Sequence, residues 1–146
     1  MKSFKEIDII ITSTLFPLDD SGLHISGEAE ESKSSATSYL KSDGEELTLS
    51  YFEESEGVKI YSDITVLADT VTVKRRGGIE SEFVFREGKS HTSLYKIPPY
   101  SFECEIVTKK LRNEFSASGG TITVFYDMNL GGERRRVKMK IDGYEK

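Results

Sequence analysis

Residues 62–95 read SDITVLADTVTVKRRGGIESEFVFREGKSHTSLY, four short alternating runs separated by Ala68-Asp69, Gly77-Gly78 and Glu87-Gly88-Lys89. Successive side chains of a strand point to opposite faces, so each turn must set apolar residues opposite one another. Joining Leu67 to Thr70 places Val66 opposite Val71, Ile64 opposite Val73 and Ser62 opposite Arg75. A two-residue Gly77-Gly78 loop would set Val73 against Glu82, which belongs to the wrong face. A three-residue loop over 77–79 sets Val73 against Phe83 and Arg75 against Ser81, so the longer loop is expected. The Glu87-Gly88-Lys89 turn then sets Phe85 against His91, Phe83 against Ser93 and Ser81 against Tyr95.

The same counting extends both ways. Upstream, Leu47, Leu49 and Tyr51 share a face with Glu53, and a loop over 54–57 pairs Glu53 with Val58 and Leu49 with Ser62. Val58, Ile60, Ser62, Ile64 and Val66 are then inward. Downstream, Pro98-Pro99 turns the chain so that Tyr95 faces Phe102, followed inward by Cys104, Ile106 and Thr108. Gly131-Gly132 suits a two-residue hairpin pairing Tyr126 with Val137, Val124 with Met139 and Ile122 with Ile141. That register sends Arg134, Arg136, Lys138 and Lys140 outward as one basic stripe, with Asp127 opposite Arg136. Hairpin follows hairpin, which predicts an all-β, up-and-down antiparallel barrel of roughly eight strands, a two-sheet sandwich being the competing architecture.

Composition agrees with strands. The 146 residues include 12 Ile, 8 Val, 11 Thr and 15 aromatics against 4 Ala, a β-branched and aromatic bias. The length suits one domain over 1–146. The Ser-, Gly- and acid-rich stretch over 17–35 reads as a mobile acidic loop. One cysteine, Cys104, forms no internal disulfide, and no signal peptide or apolar span of bilayer length is visible, so a cytoplasmic location without membrane contact is expected. Residues 19–56 carry 11 acids and 2 bases, whereas residues 109–140 carry 8 bases and 3 acids. This asymmetry reads as two solvated faces, or as a basic face for an acidic partner or a second copy. The net charge of −5 argues against nucleic acid as partner.

Ser62, Arg75, Ser81 and Tyr95 form one inward row, with Tyr51, Glu53, His91 and Tyr126 on the same interior face at other levels. A buried guanidinium needs partners. The expected ones are the two serine hydroxyls and the Tyr95 hydroxyl, with Glu53 as charge partner. Arg75 either plugs the barrel or orients an anionic or carbonyl-bearing ligand in a cavity walled by tyrosines. No nucleophile–base–orienter set marks a catalytic site, and no catalytic residue is assigned. His24, His91 and Cys104 lack metal-ligand spacing, Asp19-Asp20 with Glu28 to Glu31 lack calcium-loop spacing, and the Gly-Gly pairs are turns, so no metal or cofactor is expected.

The run Leu49-Ser50-Tyr51-Phe52-Glu53-Glu54-Ser55 resembles the LSYEES segment of the YwiB-like bacterial proteins, a family of unknown function with a calycin-type (lipocalin-like) barrel. The resemblance continues through Val71-Thr72-Val73-Lys74-Arg75, Phe83-Val84-Phe85 with Gly88, His91 to Tyr95, Thr108-Lys109-Lys110 and the strand carrying Tyr126. It departs at Ile97-Pro98-Pro99-Tyr100, where the family has Thr-Pro-Tyr-Gly. The resemblance implies a small cytosolic bacterial barrel and brings no activity or catalytic residue with it. A ligand-binding cup follows from it by fold analogy alone.

Overall fold

The computed structural model describes residues 2–18 and 29–145. Ten strands form one antiparallel sheet: β1 (Lys2–Pro17), β2 (Glu30–Asp43), β3 (Glu46–Ser55), β4 (Val58–Val66), β5 (Val71–Gly77), β6 (Ser81–Phe85), β7 (Ser90–Ile97), β8 (Tyr100–Ser116), β9 (Gly119–Leu130) and β10 (Glu133–Glu145). Their order is β6-β5-β4-β3-β2-β1-β10-β9-β8-β7. Every strand therefore pairs with its neighbour in sequence except β6 with β7, and β1 closes onto β10 from Ile7↔Glu145 to Pro17↔Arg135. The result is a nearly closed up-and-down barrel with ten strands, against roughly eight from turn counting. Among the described residues, no helix is long and apolar enough to cross a membrane.

Most of the registers follow the turn arithmetic. Ser62↔Arg75 and Ile64↔Val73, Val73↔Phe83 and Arg75↔Ser81, Tyr95↔Phe102, and Tyr126↔Val137 through Ile122↔Ile141 all form as expected. Three places differ. The β3–β4 turn is two residues, Glu56 and Gly57, both at positive φ, so Glu53 meets Ile60 and Leu49 meets Ile64 rather than Val58 and Ser62. A non-glycine residue adopting positive φ made the tighter turn possible. The shift is two residues, so the faces are preserved, but Val58 lies exposed beyond the barrel wall.

The expected β6–β7 ladder is the second difference. Only Glu80 and Lys96 pair across it, exchanging two backbone hydrogen bonds of 2.9 Å. That single bridge has the expected register, but Phe85–His91, Phe83–Ser93 and Ser81–Tyr95 do not join into a ladder. The intervening turn leans on β8 instead: Gly88 N–H donates to Thr108 O, and Thr108 N–H to Lys89 O. The Phe83 and Tyr95 rings stack across the gap, 6.3 Å apart. The third difference is a bulge between Thr108 and Lys110. One extra residue reverses the alternation, so Leu111 and Phe115 continue the inner face of β8. Of the expected loop over 17–35, residues 30–35 begin β2, and residues 19–28, with His24, lie outside the described residues.

The interior is filled at one end by Ile7, Leu40, Leu49, Ile64, Phe85, Ile122 and Ile141, all essentially inaccessible to solvent. Such a filled half stabilises the fold by about 25 cal/mol per Å² of apolar area removed from water. The Phe115 ring caps this end by lying directly over Gly143, where an added Cβ would stand 2.6 Å from the ring. A rigid aromatic ring cannot yield that space cheaply. Gly143→Ala is therefore expected to destabilise the protein by roughly 1–3 kcal/mol, read as a lower urea midpoint at unchanged slope. A midpoint equal to that of the natural chain would contradict this packing.

Candidate functional site

The other half of the barrel is open. Small residues recur at alternate positions there, Ser13 on β1 facing Ser32 on β2, with Ser34 one step further along the same face. Serines occupy little volume, so this wall leaves space that Ile or Leu would have filled. Across the barrel stands Arg75 on β5, between Ser62 of β4 and Ser81 of β6.

Arg75, Ser13 and Ser32 together border two cavities. One, of about 300 Å³, is mostly polar, lined by Tyr51, Glu53, Ser62, Lys33, Ser34, Ile11, Ile60 and Ile79. The other, of about 290 Å³, is mostly apolar, lined by Leu15, Val73, Phe83, Phe85, Tyr95, Tyr126, Met128, Leu130, Val137 and Met139, with Arg135 also bordering it. The guanidinium-bearing side chain thus lies where a polar and an apolar chamber meet. Arg75 is half-buried. Arg135 is ion-paired with Glu133 at 2.7 Å.

The expected partners of Arg75 do not engage it. Among the described residues, no hydrogen bond joins it to Ser62, Ser81 or Tyr95, and no carboxylate, that of Glu53 included, lies within ion-pair distance. Glu53 lies on β3, two strands from Arg75 on β5, and stands two residues beyond the Tyr51–Ser62–Arg75 row, where it is exposed. The positive charge is nevertheless felt by the tyrosines. Burial pushes the Tyr51 phenol above its ordinary value, with the Arg75 charge and a hydrogen bond with Ser62 opposing that rise. Burial pushes the Tyr126 phenol up further, again opposed by Arg75.

Six of the eight expected residues border the two chambers: Arg75, Tyr95, Ser62, Tyr51, Glu53 and Tyr126. Ser81 and His91 border neither. Ser81 is buried in the row beside Arg75, and His91 lies on β7 with its Nε2 buried and without a hydrogen-bond partner among the described residues. The residues missed are Ser13, Ser32, Ser34 and Leu15 from the first two strands, and Met128, Leu130 and Arg135 from the last two. The alternation of serines at 32, 34 and 38 was the available signal, a strand face with room in front of it. Cys104 is buried, and burial pushes its thiol up, which suits an inert core residue. On the outer face, the basic stripe forms as expected, but Arg136 is held by Asp127 at 2.9 Å and Lys138 lies over the Phe125 ring.

The family described as "Domain of unknown function (DUF1934)" matches residues 21–141. The uncharacterised β-barrel protein YwiB of Bacillus subtilis (strain 168) is 29% identical over 97 residues, spanning 66% of this chain and 68% of that protein. The crystal structure of the ywiB protein from Bacillus subtilis has the same fold, with a TM-score of 0.78 over 96% of this chain and 92% of that one, at 24% identity.

The buried phenols set a pH dependence. Both are held protonated more firmly in the folded than in the unfolded chain. Their contribution is intact below the unfolded phenol value near 10 and is lost as pH rises above it. The urea midpoint is expected to fall as pH rises above about 10, and less steeply in Tyr126→Phe. Parallel declines in the two proteins would contradict the burial of this phenol.

Proposed function

The chain belongs to the DUF1934 family and is similar to the β-barrel protein YwiB of Bacillus subtilis, and we propose that it binds a small, singly charged amphipathic anion inside the barrel. Its anionic head occupies the polar chamber against Arg75, and its apolar body occupies the neighbouring chamber. The observation that carries this reading is the half-buried Arg75, set between two open chambers without a carboxylate partner among the described residues. A guanidinium removed from water is costly without an anion or several acceptors. Its planar fork matches a carboxylate, and Ser13, Ser32 and Ser62 offer hydroxyls that both donate and accept.

Glu53 borders the same polar chamber. Lys33 and Arg75 border it too, so the chamber's charged groups leave a net of one positive charge, which a singly charged head such as a carboxylate balances. Each chamber is near the lower limit of ordinary ligand pockets, about 300 Å³, which points to a compact head and a short or narrow body. The reading is of a binding protein, because the described residues bordering the chambers, Arg75, Arg135, Lys33 and the hydroxyl-bearing side chains among them, include no nucleophile set against a base, which turnover requires. The rival reading, a homodimer or interaction module built on the basic outer stripe, has weaker support. Two of its cations already face acids on the same surface, Arg136 on Asp127 and Lys140 on Asp142.

Octanoate is expected to raise the melting temperature and to bind measurably by titration calorimetry, with octylamine and octanol much weaker. Arg75→Met keeps an unbranched apolar stem, removes the guanidinium and its charge, and is expected to leave the barrel folded or stabilise it. The variant should lose roughly tenfold or more in octanoate affinity, the value of a hydrogen bond to a charged group. Equal affinity in the two proteins would sink the cup, and loss of the fold in Arg75→Met would favour Arg75 as a structural plug.

A further inference from the structure

The β7–β8 hairpin runs past the barrel rim. Tyr95 pairs with Phe102, and Ile97 pairs with Tyr100 at the tip. Alternation along two paired strands puts these four side chains on one side of the hairpin, the side continuous with the barrel interior. Tyr95 already borders the apolar chamber. The next three are large, apolar and open to solvent: Phe102 is 41% exposed, Ile97 43% and Tyr100 66%. The β9–β10 turn comes up beneath them, where an added Cβ at Gly131 would stand 3.6 Å from the Phe102 ring. Leu130, just before that turn, also borders the chamber. An unbroken apolar path therefore leads from Leu130 and Tyr95 inside, past Phe102, to Ile97 and Tyr100 outside.

We infer that this overhang is a second part of the ligand site, holding the distal end of an unbranched aliphatic chain whose carboxylate sits at Arg75. The inference rests on the cup reading and extends it from a short amphipathic anion to a long-chain fatty carboxylate. Continuity with the chamber identifies the occupant. The chamber alone, at about 290 Å³, admits only a short chain, and the overhang gives a longer one an apolar way out. Backbone donors lie in the plane of the sheet, along the hairpin's edges, so the face itself offers side-chain surface. That surface suits an alkyl chain and gives a peptide backbone nothing to pair with.

The test is the chain-length dependence of binding for octanoate, decanoate, dodecanoate and tetradecanoate, each below its micelle concentration. In the natural chain, affinity should keep rising past decanoate, by up to about threefold to fourfold per methylene fully buried. In Phe102→Ser combined with Ile97→Ser, octanoate affinity should be unchanged while the gain beyond decanoate disappears. Tyr100→Ser, at the most exposed position, serves as a milder second variant and should lose part of the gain. A plateau at decanoate in the natural chain would overturn the overhang and leave the cup standing. So would identical length dependence in all variants, or a dimer that Tyr100→Ser dissolves without altering that dependence. Absence of octanoate binding would overturn both readings.

Discussion

Pairing of β1 with β10 is the constraint on which the interior depends. The first and last strands of the described chain join over eleven consecutive residue pairs, Ile7↔Glu145 to Pro17↔Arg135. Without that join the sheet would divide into β1–β6 and β7–β10, linked across the Glu80–Lys96 bridge and with two further long edges exposed to pairing with other chains. With it, Ser13 and Leu15 of β1 border the same chamber as Arg75 and Val73 of β5. The closure removes apolar area from water at one end, and it partly desolvates a guanidinium at the other. The stabilising half of the barrel and its chemically distinctive half are consequences of the same set of backbone hydrogen bonds.

Strand faces were legible because they depend on parity. The β3–β4 turn was expected to hold four residues and holds two, yet Ser62, Ile64 and Val66 stay inward, because a shift of two residues preserves alternation. The same rule explains why Gly131-Gly132 gave the whole β9–β10 register. Parity fails where one residue is inserted, and the bulge at Lys109 is such a place. It carries no Gly or Pro signal, since the chain reads Thr108-Lys109-Lys110-Leu111. The β6–β7 gap was illegible for another reason. The turn residues Gly88 and Lys89 could hydrogen-bond to either neighbour, and the choice of β8 depends on a third strand distant in sequence.

The site was legible on one wall only. Arg75, Ser62, Tyr95 and Tyr126 stood out as polar or amphipathic residues on faces otherwise occupied by Val, Ile and Phe. Their serine counterparts on β1 and β2 did not, because a stretch rich in Ser and acids has the composition of a loop. Composition reports what a segment can do when solvated. It is silent about a segment recruited into a ladder by a partner strand, as residues 30–35 are by Leu15 through Ile10.

The division of the cup into two chambers follows from which strands meet across it. β1 and β2 bring serines, whose small hydroxyls leave volume and hydrogen-bonding capacity. β6, β7 and β9 bring Phe83, Phe85, Tyr95 and Tyr126, whose rings pack on one another at centroid distances of 4.7 to 6.3 Å. Such clusters hold their shape through ring packing and leave a smooth apolar wall. Arg75 borders both chambers, and a long side chain with an apolar stem and a polar head suits such a boundary. A plug would need the guanidinium to spend its donors on neighbouring strands, and Ser62 and Ser81, placed directly on either side, do not receive them. Among the described residues they meet no carboxylate either, and open volume lies on both sides, which is what the proposed recognition role requires.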